Sequence, residues 1–121
     1  MSTRRLYALG RLKAGERNKT EARYEQDLEL RKRAGEILWY GFEVMTFKLA
    51  DGCRLTPDFM VLTAAFELEA HDCKGSRAVF SEDARVKMKV AAEHFPVRFI
   101  AVYPRKVKDG GGWDIEDFSR A

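Results

Sequence analysis

The chain is poor in the residues that build metal knots and staples. It has two cysteines, Cys53 and Cys73, and two histidines, His71 and His94, far apart in the chain. That number and spacing support neither a disulfide framework nor a structural zinc site. Reduced thiols and a cytoplasmic location are the expectation. No apolar run is long enough to span a bilayer. The opening "MSTRRLYALGRLKAGERNK" lacks the apolar core and cleavage-like end of a secretory signal. Internal repeats and low-complexity tracts are also missing. Net charge is small, +3 over 121 residues, so no global field dominates.

What is present fits one soluble domain. An apolar fraction of 45% beside 34% charged residues is globular rather than disordered, and the length suffices for a core without staples. The charge is uneven. Residues 1–19 carry Arg4, Arg5, Arg11, Lys13, Arg17 and Lys19 against Glu16 alone. The reading is a flexible basic arm over 1–17 on a single domain over 18–121. The arm suits an anionic partner, nucleic acid first. A solubilising tail is the competing reading.

Periodicity and punctuation supply the elements. Asn18 with Glu21 three positions on forms a capping-box pattern, opening a helix over 19–34 that Arg31, Lys32 and Arg33 close before Gly35. Its apolar stripe is thin: Tyr24 and Leu28 share a face, and Leu30 lies nearly opposite. "ILWYGFEVMTFKLADG" reads as one strand ending in an Asp51-Gly52 turn. "RLTPDFMVLT" is a second strand and "FELEAHDCK" a third. Ser81 caps a second helix over 82–95, with Ala84, Val86, Met88, Val90 and Ala91 inward. "VRFIAVYP" is a strand buried on both faces, and "WDIEDF" a short last one. The expected architecture is α/β: a helix, a three-stranded meander, a helix and two further strands, with helices flanking a mixed sheet.

The second and third strands hold the informative residues. With the hairpin centred on Ala65, Leu62 opposes Leu68, Met60 opposes Ala70 and Asp58 opposes Asp72. Opposed residues of an antiparallel pair share a side. Two carboxylates therefore end an apolar face where a helix should pack, and Lys74 projects to the same side. On the other side Glu67, Glu69 and His71 read as solvated. Paired, partly buried carboxylates repel and lose hydration. Lys74 offsets part of that cost, and a divalent cation would offset more. Two carboxylates, the Cys73 backbone carbonyl and waters form an oxygen set suited to Mg²⁺ or Mn²⁺.

Pro57-Asp58 followed by Asp72-Cys73-Lys74 resembles the signature of the PD-(D/E)XK nuclease superfamily. The order of elements over about 18–104 is similar to that superfamily's restriction-endonuclease-like αβββαβ core. "NKTE", "TPDF", an acid-x-Lys-Gly strand and "DARVKMKVAAE" also resemble, in this order, a family of short phage and prophage endonuclease-like proteins. The resemblance implies roles. Asp58 and Asp72 would be metal ligands, with the Cys73 carbonyl. Lys74 would orient or activate water, and Glu21 would complete the metal shell. The implied activity is Mg²⁺- or Mn²⁺-dependent hydrolysis of DNA phosphodiesters. By analogy with junction-resolving nucleases of this fold, branched DNA and a homodimer are expected. Asp72 is the shorter of the permitted acids, and Cys73 replaces a more usual branched apolar residue.

Each assignment has a plainer competitor. Glu21 is also explained as a capping residue, with Glu25 as fallback ligand and Glu43 as a third candidate. Lys19, Arg77, Arg85, Lys87 and Lys89 are candidate DNA contacts, or solvated cations. His71 reads as a surface residue. Trp39, Tyr40, Phe42 and Phe47 exceed what one face hides, so some would be core and some a dimer surface. Two further functional readings stand beside the nuclease: a nucleic-acid-binding module that has lost turnover, and an interaction protein whose acids only cap helices or pair with bases.

Overall fold

A computed structural model describes residues 16–119. Up to residue 15 the expected basic arm lies outside them. Arg17, assigned to that arm, is tied down: its guanidinium donates to Glu25 at 2.6 Å and lies 4.3 Å over the Phe42 ring. Helix α1, Lys19–Arg33, starts where its cap dictates. Asn18 Oδ1 accepts from the Glu21 N–H at 2.8 Å, and Glu21 Oε1 accepts from the Asn18 N–H at 2.9 Å. Both orphan donors are thereby satisfied. Tyr24 and Leu28 are buried and Leu30 is exposed, as the stripe predicts.

The first expected strand is in fact two. β1, Ile37–Phe42, ends at Glu43, whose φ of 51° turns the chain out of the sheet. β2, Phe47–Ala50, and β3, Cys53–Leu55, then pair around the Asp51-Gly52 turn as a separate two-stranded sheet. The second expected strand also splits, because Pro57 has no N–H to donate to a ladder. β4, Phe59–Thr63, begins after it. β5 is Leu68–Cys73, α2 is Glu82–His94, β6 is Arg98–Pro104 and β7 is Trp113–Asp117.

The main sheet runs β1-β4-β5-β6-β7. β5 and β6 are parallel, with α2 as the crossover, and the other neighbours are antiparallel. The result is an α/β fold with a mixed sheet. The meander survives as β1, β4 and β5, with the β2–β3 hairpin an excursion from it.

Both faces of the sheet are covered. Met60, Ala70, Phe99 and Ala101 pack against Met88 and Ala91 of α2. Phe59, Val61, Ile100 and Val102 pack against Tyr24 and Leu28 of α1. β6 is buried on both faces, as its continuous apolar run implies. Val86, expected inside, is 51% exposed: α2 turns Met88 and Ala91 to the sheet, and Val86 falls outside that stripe. Among the described residues no helix is long and apolar enough to cross a membrane.

The β4–β5 register is the expected one, Met60 opposite Ala70 and Leu62 opposite Leu68. The solvated reading of its other face needs correction. Glu67 is exposed, but Glu69 and His71 are buried beneath α1. The Tyr24 hydroxyl lies 2.6 Å from His71 Nδ1, and His71 Nε2 lies 2.8 Å from Glu69 Oε1. Burial pushes the Tyr24 phenol up, so it keeps its proton. The chain is satisfied when Tyr24 donates to His71 and His71 donates to Glu69. A polar side of a hairpin can be covered when its polar atoms find partners, here Tyr24 of α1 for His71 and His71 itself for Glu69.

Candidate active site

Asp58 stands just before β4, Asp72 near the end of β5, and Lys74 one residue beyond that strand. The antiparallel register carries all three to one end of the sheet, on the α2 side. They line a cleft of about 500 Å³. Its other walls are the N-terminal half of α2, with Ser81, Asp83 and Lys87, and the β2–β3 hairpin with its flanks, Thr46, Arg54 and Thr56. Glu43 also lines it.

Main-chain geometry holds the acids in place. Asp58 Oδ2 accepts from the Cys73 N–H at 2.8 Å, which ties the start of β4 to the end of β5. The Asp58 carbonyl accepts from the Glu43 N–H at 2.8 Å, and the Lys74 N–H donates to the Val102 carbonyl at 3.0 Å. Lys74 Nζ lies 3.1 Å from Asp72 Oδ2 and 5.4 Å from the centre of the Phe80 ring.

The electrostatics follow from burial and charge. Burial first, then the Asp72 charge, push the Asp58 carboxyl well above the usual carboxylate range, and the Cys73 N–H opposes them only in part. Burial pulls the Lys74 ammonium down, but Asp72 and Asp58 outweigh it and hold it above its ordinary value. Lys74 is therefore a standing cation and donor. Burial, with Asp58 and Asp72, pushes the Cys73 thiol far up, which removes it as a nucleophile.

The remaining candidates are distributed differently. Glu21 is buried and its charge reaches Asp58, but its side chain closes the capping box and does not line the cleft. Glu25 binds Arg17 and lies 3.4 Å from the Tyr40 hydroxyl. Lys19 is exposed at the start of α1. Arg77 and Arg85 both converge on Glu116 of β7, Arg77 at 3.2 Å, while the Tyr103 hydroxyl donates to the same carboxylate at 2.7 Å. Lys89 lines a different cleft, beside Glu93 and Glu116. Only Lys87, of the five candidate DNA contacts, lines the acid cleft.

Sequence reading missed Arg54, Thr46, Thr56 and Asp83 as cleft residues. The Asp51-Gly52 turn was the available signal for Arg54, since it announces a hairpin. Nothing local says that the hairpin folds over the acids. Among the described residues, no group of three or more His, Cys, Asp and Glu side chains is arranged to hold a metal ion. Of the four carboxylates that line the cleft, Asp58 and Asp72 are the two at the ends of adjacent strands, and they are the set available to hold a cation with waters. That set fits Mg²⁺, which commonly takes one or two carboxylates and keeps several waters. Comparison of the chain with protein-family models, with curated proteins and with solved structures finds no match in any of the three.

Proposed function

We propose that this protein is a Mg²⁺- or Mn²⁺-dependent DNA endonuclease of the PD-(D/E)XK type. One observation carries the reading: Asp58, just before β4, and Asp72 with Lys74, at the end of β5, line a single cleft. Burial and the Asp72 charge disfavour ionisation of Asp58, and among the described residues only Lys74 ion-pairs with the two acids, so a divalent cation there would favour both staying ionised. Asp58 and Asp72 would hold a divalent cation, which would supply charge neutralisation to phosphate oxygens and acidity to a water. The chain's own groups do the rest. The Cys73 N–H fixes Asp58. Lys74, kept protonated by its acidic neighbours, donates to the attacking water or to a phosphate oxygen and stabilises developing negative charge. Attack of water on phosphorus then breaks one P–O ester bond, and the leaving oxygen takes up a proton. Branched DNA as substrate and a homodimer as the working unit belong to this proposal by analogy with the fold. In support of a second copy, Leu38 and Trp39 stand exposed on the edge strand β1.

A second reading has its own observation. Glu21 stays in the capping box, and among the described residues no third acidic, histidine or cysteine side chain joins Asp58 and Asp72 to hold a metal ion. That favours a nucleic-acid-binding module of the same fold without turnover. Asp58→Ala separates the two. Under the nuclease reading, wild type nicks labelled duplex or junction DNA in Mg²⁺ or Mn²⁺, and the variant binds but does not cut. Binding without cutting by wild type in either metal supports the module. Failure to bind DNA at all sinks both.

A further inference from the structure

The cleft has a wall that the acid pair does not explain. Arg54 sits on β3, the outgoing strand of the hairpin, and Lys87 on the facing turn of α2. Both line the cleft beside four carboxylates, Glu43, Asp58, Asp72 and Asp83. Among the described residues neither cation forms an ion pair with any of them, whereas Lys74 does. The Lys87 ammonium instead donates to the Arg54 main-chain carbonyl at 3.3 Å. The wall is held firmly. The Thr46 and Thr56 hydroxyls, at the two ends of the hairpin, lie 2.8 Å apart. Phe47 anchors the hairpin, packed edge-on against Phe95 and Phe99 at 4.9 and 5.1 Å. A cation on a rigid element loses less freedom on binding than one on a loop.

We propose that the β2–β3 hairpin is the strand-holding wall of the cleft. Arg54, with Lys87 beside it, grips the phosphate that neighbours the reacting one on the same DNA strand. This rests on the nuclease reading. A phosphodiester lying across the acids must carry its next phosphate along the cleft, where Arg54 of the hairpin and Lys87 of α2 are cations without a carboxylate partner among the described residues. The planar guanidinium fork suits a phosphate's two oxygens. The acids hold the reacting centre and the wall sets the strand's register, a division in which phosphate contacts position the substrate.

The test uses fluorescein-labelled DNA duplex and single strand, with Arg54→Ala as the main variant because it leaves the carbonyl that Lys87 binds in place. In an Asp58→Asn background, Arg54→Ala should weaken binding roughly tenfold, the size of one lost charge-assisted contact. The slope of log affinity against log salt should fall by about one. In the cutting protein the loss should fall on KM more than on kcat. Lys87→Ala should act in the same direction, and Lys108→Ala, outside the cleft, should do nothing. Circular dichroism melts identify a variant that has merely unfolded, and Arg54→Lys then stands in, expected to keep the salt slope while losing affinity. Unchanged affinity and slope in a folded Arg54 variant, with wild type still cutting, overturns the hairpin's role alone. Wild type that neither binds nor cuts overturns the nuclease reading with it.

Discussion

Asp58 shows how a single carboxyl links stability to cation binding. Its folded-state pKa is raised, first by burial and then by Asp72. A raised carboxyl contributes stability that is fully present below its unfolded value, about 4, and is lost as pH rises through the folded value. The metal-free protein should therefore melt lower at pH 8 than at pH 5. Asp58→Asn should remove much of that difference, and Mg²⁺ should raise the melting temperature of wild type at pH 8 but not of the variant. Differential scanning fluorimetry checks all three. Glu69 has the opposite sign. The His71 hydrogen bond holds its carboxyl below the usual range, so its contribution is present above the unfolded value and lost as pH falls through the folded one. Glu69→Gln should cost about 1–3 kcal/mol at neutral pH, and urea titrations should show the gap to wild type closing in acid. That Asp58 and Asp72 share one cleft was legible from strand register alone. The burial of His71 was not, because a hydrogen bond from Tyr24, 47 positions away, leaves no local pattern.

At the scale of elements, local signals worked where the chemistry was local. The Asn18–Glu21 box, the Ser81 cap and the Asp51-Gly52 turn all stand where the residues place them. The failures are interruptions in strands: the Pro57 break before β4, and two in the first expected strand. A bulge in β1 shifts the pairing from Ile37–Thr63 to Trp39–Leu62. It puts Ile37, Tyr40 and Phe42 against one core and leaves Trp39 41% exposed. Strict alternation cannot describe such a strand. The second of that pair is Glu43, a left-handed residue that is not glycine. Phe66, between β4 and β5, is another, with φ of 64° and 78% exposure. It buries little there and bears the cost of that backbone. Phe66→Gly should therefore stabilise the protein by about 1 kcal/mol, read as a higher urea midpoint at unchanged slope.

For the whole molecule, the consequence is a sheet packed on both faces with an acid cleft at one end and exposed apolar residues on an outer strand. Leu38 and Trp39 lie on that strand, with Val44 and Met45 just past it. If a second copy covers them, Trp39→Lys should convert a species near twice 13.9 kDa into one near 13.9 kDa in sedimentation velocity. Residue order by itself determined the helices, the β4–β5 register and the meeting of Asp58, Asp72 and Lys74, because caps, turns and a two-residue period act over neighbouring positions. Only tertiary structure decided that the hairpin forms the cleft's second wall, that Glu116 holds Arg77 and Arg85, and that α1 buries Glu69 and His71. Those outcomes depend on which surfaces meet when distant segments pack, and no short stretch of chain encodes that.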